Sequence, residues 1–362
     1  MDVRRIAAGD VAASCYFRSS TITPARKALV QITERCNLHC AHCFVSARSE
    51  GIDIGHEQMR ALVLPQLREA RVSRLTLTGG EPFAHPDLLV IVRDARALEM
   101  TVTICTNATL SDTAVLDQLA AIGGVKLNVS LDGFAAHSHG KFRGDPASFA
   151  LTKQTLRAIG ERGLLKGVLV TPNTLAALDE YDELCRYARL CGAEYVLMNP
   201  LSSMGRGVRG IRRLGAPESF MRSLAQRTAV FEGDLEIVRI RFPNDDRPLS
   251  GCEAGTIVYV FANGDVTVCP YLVFAARTQQ SRHDPAEFIV GNALKHDDIA
   301  ARLDRYRLHD RAAVAADPVC GSCAMSGACG RGCPAAVIAA GGELGERDRE
   351  QCPVPDPVEA AA

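Results

Sequence analysis

The sequence predicts an α/β protein built on a parallel sheet, and three observations carry that prediction. Short apolar runs alternate with amphipathic helical stretches, the pattern of repeated βα units. Polar or glycine-rich residues follow those runs at their C-terminal ends, where barrel enzymes keep their chemistry. Ten of the 14 cysteines fall into two sets, three between residues 36 and 43 and seven after residue 250.

The elements follow in order. The run Ala28-Leu29-Val30-Gln31-Ile32-Thr33 predicts a first strand and Ser73 to Thr78 a second. Pro86 to Arg93 predicts a helix with proline in its first turn. Thr101 to Asn107 predicts a third strand, and Ser111 is expected to cap a helix that turns Leu116 and Leu119 inward. Val125 to Gly133 predicts a fourth strand, and Phe149 to Ile159 a helix closing near Gly160 or Gly163. Leu165 to Val170 predicts a fifth strand, Leu178 to Leu190 a helix stopped at Gly192, and Glu194 to Met198 a sixth strand. Pro217 to Arg247 is expected to supply a helix and a strand that bridge to the C-terminal region.

The first cysteine set, Cys36, Cys40 and Cys43, has the spacing C-x3-C-x2-C just past the first strand. Structural zinc usually takes four ligands. Three thiolates suit a 4Fe–4S cluster with one iron left for a cosubstrate. This triplet resembles the radical S-adenosylmethionine (SAM) superfamily, with His42 standing where the family usually has an aromatic residue. Gly79-Gly80-Glu81-Pro82 after the second strand resembles the family's GGEP motif. Thr106-Asn107 ends the third strand, and Ser130 lies near the end of the fourth.

The resemblance implies a partial (β/α)6 TIM-like barrel. It implies catalytic Cys36, Cys40 and Cys43, and a SAM pocket on Gly79, Gly80, Glu81, Thr106, Asn107, Ser130 and Arg143. Glycines admit close backbone approach, and a carboxylate suits the SAM ammonium.

The second set begins with Cys252, eleven residues, Gly264, four residues and Cys269. It continues as Cys320, Cys323, Cys329 and Cys333 in C-x2-C-x5-C-x3-C spacing, and then Cys352. This resembles the seven-cysteine SPASM extension of radical SAM enzymes that act mostly on peptides and proteins. The resemblance implies two auxiliary 4Fe–4S clusters, three clusters in all. Cys320, Cys323, Cys329 and Cys352 would hold the second auxiliary cluster, and Cys252, Cys269 and Cys333 the first. Some relatives supply a fourth cysteine about six residues before the first of the seven. Asp246 stands there, beside Asp245, so the first auxiliary cluster is expected to lack a fourth cysteine. Either the aspartates ligate it, or they cap a turn in Pro243-Asn244-Asp245-Asp246.

The domain organisation expected is an N-terminal segment 1–26, a barrel 27–215, a bridging region 216–247 and the extension 248–362. The first 26 residues are too few for the winged recognition domain that many peptide-modifying relatives carry. An apolar content of 47% suffices for a buried core, and a net charge of −1 implies no nucleic-acid partner. No apolar run reaches membrane-spanning length, and the start lacks a signal-peptide core. A reducing cytoplasm suits thiolate-held clusters.

Cys15, Cys105, Cys185 and Cys191 lie outside every motif and read as small buried hydrophobes. Cys105 has the alternative of donating a hydrogen atom, as an epimerase requires. Arg206, Arg209, Arg212 and Arg213 read as a solvated loop, with an acidic leader as the alternative ligand. Pro270 argues against a sulfatase-maturing activity, where an aspartate follows the equivalent cysteine.

The function implied is reductive cleavage of SAM and radical modification of a ribosomally made peptide by cross-linking, oxidation or epimerisation. An electron donor such as flavodoxin or ferredoxin would be the second partner. The alternatives are oxidation, decarboxylation or rearrangement of a small metabolite, and a non-catalytic iron–sulfur scaffold. GGEP, Ser130 and Arg143 weigh against the scaffold.

Overall fold

The computed structural model describes residues 11–17, 21, 24–311 and 317–355. Ten strands form one sheet in the order β10-β9-β8-β1-β2-β3-β4-β5-β6-β7. The barrel strands are β1 (Arg26–Thr33), β2 (Val72–Gly79), β3 (Thr101–Thr106), β4 (Val125–Ser130), β5 (Leu165–Val170) and β6 (Tyr195–Met198). Each is parallel to the next, as connection by crossover helices requires. The α/β class and the partial barrel are therefore as the sequence predicts.

The parallel sheet runs on at both sides. β7 (Glu236–Arg239), from the bridging stretch, pairs with β6, and β8 (Ile257–Val260), from the C-terminal extension, pairs with the opposite edge of β1. β9 (Asp265–Thr267) and β10 (Gly291–Asn292) complete the sheet antiparallel.

Helices Leu88–Ala97, Thr113–Ile122, Ser148–Glu161, Leu178–Leu190 and Glu218–Thr228 follow β2 to β6 in turn. Helical spacing decides what each buries. In the first of them Leu88, Ile91, Val92 and Ala95 form one inward stripe. Full burial of a side chain such as Ile91 stabilises the fold by about 1.5–3 kcal/mol.

Two boundaries differ from expectation. The cap of helix Thr113–Ile122 is Asp112, not Ser111: the Asp112 carboxylate accepts from the Val115 amide at 2.8 Å, while the Ser111 hydroxyl is buried without a partner. A carboxylate reaches that amide and also suits the positive end of the helix. The helix expected from Pro86 begins at Leu88, because the Asp87 amide donates to the His85 ring at 3.0 Å and holds the preceding turn open.

The N-terminal segment is fastened to the start of the extension. The Ala12 amide donates to the Pro248 carbonyl at 2.8 Å, and the Ser250 amide to the Ala12 carbonyl at 2.9 Å. The hydroxyls of Ser14 and Ser250 lie 2.9 Å apart.

Candidate active site and cysteine centres

The loop after β1 carries Cys36, Cys40 and Cys43, and the end of β2 grips it. The Gly80 amide donates to the Thr33 carbonyl and the Glu81 amide to the Arg35 carbonyl, both at 2.8 Å. A Cβ at Gly80 would stand 2.1 Å from the Arg35 carbonyl oxygen, so only glycine permits this contact. The glycines of GGEP thus admit the cysteine loop itself.

Arg206 closes the loop from the other side. It donates to the Cys40 carbonyl at 2.8 Å and the Ala47 carbonyl at 2.6 Å. It is therefore engaged with the protein, unlike the solvated loop residue expected. His42 stacks on Phe142 with ring centres 4.5 Å apart, so the imidazole fills the aromatic position before the third cysteine. Burial lowers its pKa to about 4 and keeps it neutral.

Cys36, Cys40 and Cys43 open onto a cavity of about 350 Å³. Gly79, Gly80, Glu81, Thr106, Asn107, Ser130 and Arg143 line the same cavity, so the structure brings the predicted SAM-pocket residues together. The sulfurs meet hydrogen-bond donors there. Cys36 Sγ accepts from the Leu38 amide at 3.4 Å and faces Asn107 Nδ2 at 3.9 Å, while Arg143 lies 3.9 Å from Cys40 Sγ. Burial pushes the Cys40 thiol up to about 12, with Arg143 opposing it. Among the described residues no three His, Cys, Asp or Glu side chains converge on a single ion. A cubane binds each cysteine through a different iron, so the triplet's donor set fits a cluster better than one metal ion.

Glu81 is 1% exposed and heavily bonded. Its oxygens accept from Thr106 Oγ1 and the Asn107 amide, both at 2.7 Å, and from the Phe83 amide at 3.1 Å. Burial raises its pKa despite those bonds. Glu81 therefore sets the Thr106-Asn107 edge of the cavity.

Arg143 donates through Nε to Asp132 at 2.7 Å. Beyond Asp132 and Cys40, its guanidinium has no further partner among the described residues, which leaves donors for a carboxylate in the cavity. Asp132 is a site residue that sequence reasoning missed. Burial opposes its charge, but Arg143, His42 and His139 hold its pKa below the usual range. Its other oxygen accepts from the Thr171 amide at 2.8 Å. The signal available was a carboxylate just past the fourth strand, next to Gly133.

The C-terminal cysteines form two separate groups. Cys320, Cys323, Cys329 and Cys352 line one small cavity of about 50 Å³. Backbone amides point at its sulfurs: Leu249 and Arg331 at Cys329 and Met325 at Cys323, each at 3.4 Å. Cys252, Cys269 and Cys333 form the other group, near enough to perturb one another. Burial is the main cause that raises the Cys252 and Cys269 thiols, and Cys333 raises both further.

A fourth cysteine, Cys15, lies beside this second group, against the carbonyls of Gly251 and Gly332 at 3.4 and 3.5 Å. Cys333 and Cys252 raise the pKa of the Cys15 thiol. The aspartates stand elsewhere. Asp245 pairs with Arg222 at 2.5 Å on the surface, and Asp246 is exposed. Asn244 closes the turn by accepting from the Arg247 amide at 3.2 Å. The remaining outliers fit a packing role in part: Cys185 is fully buried and Cys191 bonds Tyr187, whereas Cys105 lines the main cavity.

Residues 30–188 match the family model described as the Radical SAM superfamily. The fold, with its cysteine loop past β1, and this match define a radical SAM domain over these residues, and the chain is an enzyme that carries it. It is 25% identical over 305 residues to the antilisterial bacteriocin subtilosin biosynthesis protein AlbA of Bacillus subtilis, covering 83% of this chain and 67% of AlbA. It is 28% identical over 340 residues to the mycofactocin maturase MftC of Mycobacterium tuberculosis, covering 88% and 81%. Its fold matches Streptococcus suis SuiB bound to precursor peptide SuiA with a TM-score of 0.70 at 17% identity, covering 90% and 75%.

Proposed function

We propose that this enzyme modifies a ribosomally made peptide by radical chemistry, holding SAM in the cavity past β1 to β4 and one 4Fe–4S cluster on Cys36, Cys40 and Cys43. The carrying observation is the shared cavity of the three cysteines and Arg143. When bound, the cluster and SAM supply a one-electron cleavage of SAM and a 5′-deoxyadenosyl radical that abstracts a hydrogen atom from the substrate.

The chain's own residues do the rest. Arg143, fixed by Asp132, presents its free edge to the SAM carboxylate. Glu81 holds Thr106 and Asn107 in place, and Ser130 adds a hydroxyl to the wall. Leu38, Asn107 and Arg143 direct N–H groups at the sulfurs, and those of Leu38 and Arg143 oppose the burial that raises the Cys36 and Cys40 thiols. Leu29, Phe44 and Leu197 give the cavity an apolar wall, which limits competing reaction with water.

The peptide reading is supported by the relatives, named for bacteriocin biosynthesis and mycofactocin maturation, and by SuiB, solved with a precursor peptide. The two C-terminal cysteine groups would hold two auxiliary clusters, giving three per chain. A flavodoxin or ferredoxin would deliver the electron in the cytoplasm. Among the described residues no helix is long and apolar enough to cross a membrane.

The test is anaerobic reconstitution with SAM and dithionite, with and without a short peptide encoded beside the gene. Formation of 5′-deoxyadenosine with a mass change on the peptide is expected. Arg143→Ala should weaken SAM binding by at least about tenfold, the effect of losing roughly 1.5–3 kcal/mol from a charged hydrogen bond. Absence of 5′-deoxyadenosine under reduction would overturn the reading.

A further inference from the structure

We propose that Cys15 is the fourth cysteine ligand of the first auxiliary cluster, completing a set with Cys252, Cys269 and Cys333. This rests on the reading above that those three hold a cluster.

Position is the first argument. Cys15 lies 5% exposed against the carbonyls of Gly251 and Gly332, at 3.4 and 3.5 Å. Those residues immediately precede Cys252 and Cys333, so Cys15 sits where the two loops meet. Cys333 and Cys252 both raise the pKa of its thiol, as near neighbours would. Burial raises the Cys269 thiol, and Cys252 and Cys333 raise it further. Cys15 therefore sits beside the loops that carry two of the three cysteines.

The second argument is how firmly the segment carrying Cys15 is held. Besides the bonds from Ala12 and Ser14 to residues 248–250, the Arg241 amide donates to the Ala13 carbonyl at 2.7 Å. The Arg241 guanidinium donates to the Ser14 carbonyl at 2.8 Å, and it also pairs with Asp348. Asp348 in turn accepts from the Cys333 amide at 3.2 Å. Arg241 and Asp348 thus join the backbone of Ser14 to that of Cys333. Arg241 takes up a left-handed φ of 51° to do so, a conformation that costs a non-glycine residue energy.

The packing alternative is weaker here. A thiol that only fills space meets hydrocarbon, and Cys15 meets two carbonyls. The surface aspartates offer no competing ligand. With four thiolates, no iron of this cluster is left open, and a substrate sulfur would have to displace a protein ligand to bind it. The structure thereby favours peptide products whose formation does not need iron-bound substrate sulfur.

The experiment uses the full chain with Cys36, Cys40 and Cys43 all changed to Ala, so that only auxiliary clusters remain, reconstituted anaerobically. Two cubanes give about eight irons per chain. Changing Cys252, Cys269 and Cys333 together to Ala in this background should lower iron to about four per chain and remove one set of signals in electron paramagnetic resonance. Unchanged iron and signals there would show that the three-cysteine reading itself has failed.

Cys15→Ala, and Cys15→Val should the alanine variant not fold, test the proposal proper, because neither side chain can ligate iron. Each should retain a cluster whose reduced spectrum changes when cyanide is added, because an iron is now open. The parent and a Cys191→Ala control should not respond to cyanide. A cyanide response in the parent, or its absence in a folded Cys15 variant, overturns the assignment of Cys15.

Discussion

At the scale of the residue, the candidate site depends on buried polar groups that are satisfied by the protein. Glu81 is the clearest case, because its carboxylate serves two backbone amides and a hydroxyl at once. Glu81→Gln replaces one acceptor oxygen with an NH2 group. Whichever way the amide turns, at least one of the Phe83 and Asn107 amides then faces a donor. We expect a loss of about 1–3 kcal/mol, the usual cost of an unsatisfied buried group, measured by urea unfolding of the iron-free protein. An unchanged midpoint would show that the bonds to Glu81 carry no stability.

The same scale explains what sequence did and did not disclose. Cys36, Cys40 and Cys43 were legible because three thiolates in eight residues constrain one another locally. Cys15 was not, because its partners lie more than 230 residues away and spacing rules read only neighbours. Arg206 was misread for a similar reason: nothing near it in sequence says that its guanidinium reaches back to Cys40.

At the scale of the element, the strands β1 to β6 were readable because each is an apolar run bounded by turn or glycine residues. β8, β9 and β10 are only four, three and two residues long, too short for periodicity to declare them. The junction between β2 and the cysteine loop is a backbone contact, and it makes its own prediction. Gly80→Ala puts a methyl 2.1 Å from the Arg35 carbonyl, so strand and loop must part. We expect a stability loss of about 2 kcal/mol or more, toward the larger values seen for single substitutions. The iron-free variant should show it in thermal unfolding, and the reconstituted variant should lose iron mainly from the Cys36, Cys40 and Cys43 site. Wild-type stability together with wild-type iron content would refute the close contact.

At the scale of the whole molecule, the C-terminal region shares the barrel's sheet. β8 pairs with β1 over Lys27 to Val30, and Val258 and Val260 are fully buried there. A chain ending at residue 247 would bare the edge of β1, with its unpaired backbone groups and the apolar surface beside them. We expect that truncation to aggregate or to elute as large oligomers in size-exclusion chromatography, where the full chain elutes as a discrete species. A stable, monodisperse 1–247 fragment would show that β8 is dispensable to the sheet.

The pairing of β1 with β8 also has a meaning in time. Lys27 leaves the ribosome 230 residues before its partner Ile257 (257 − 27). Throughout that interval the nascent chain carries a strand with one open side, and contacts between such distant residues form slowly. The segment holding Cys15 waits equally long for residues 248–251 and longer still for Gly332. The places where iron would be mounted at the C-terminal end are therefore assembled last. Iron loading there belongs to the finished polypeptide, and conditions that slow synthesis or shield the young chain should favour soluble product over metal supply alone.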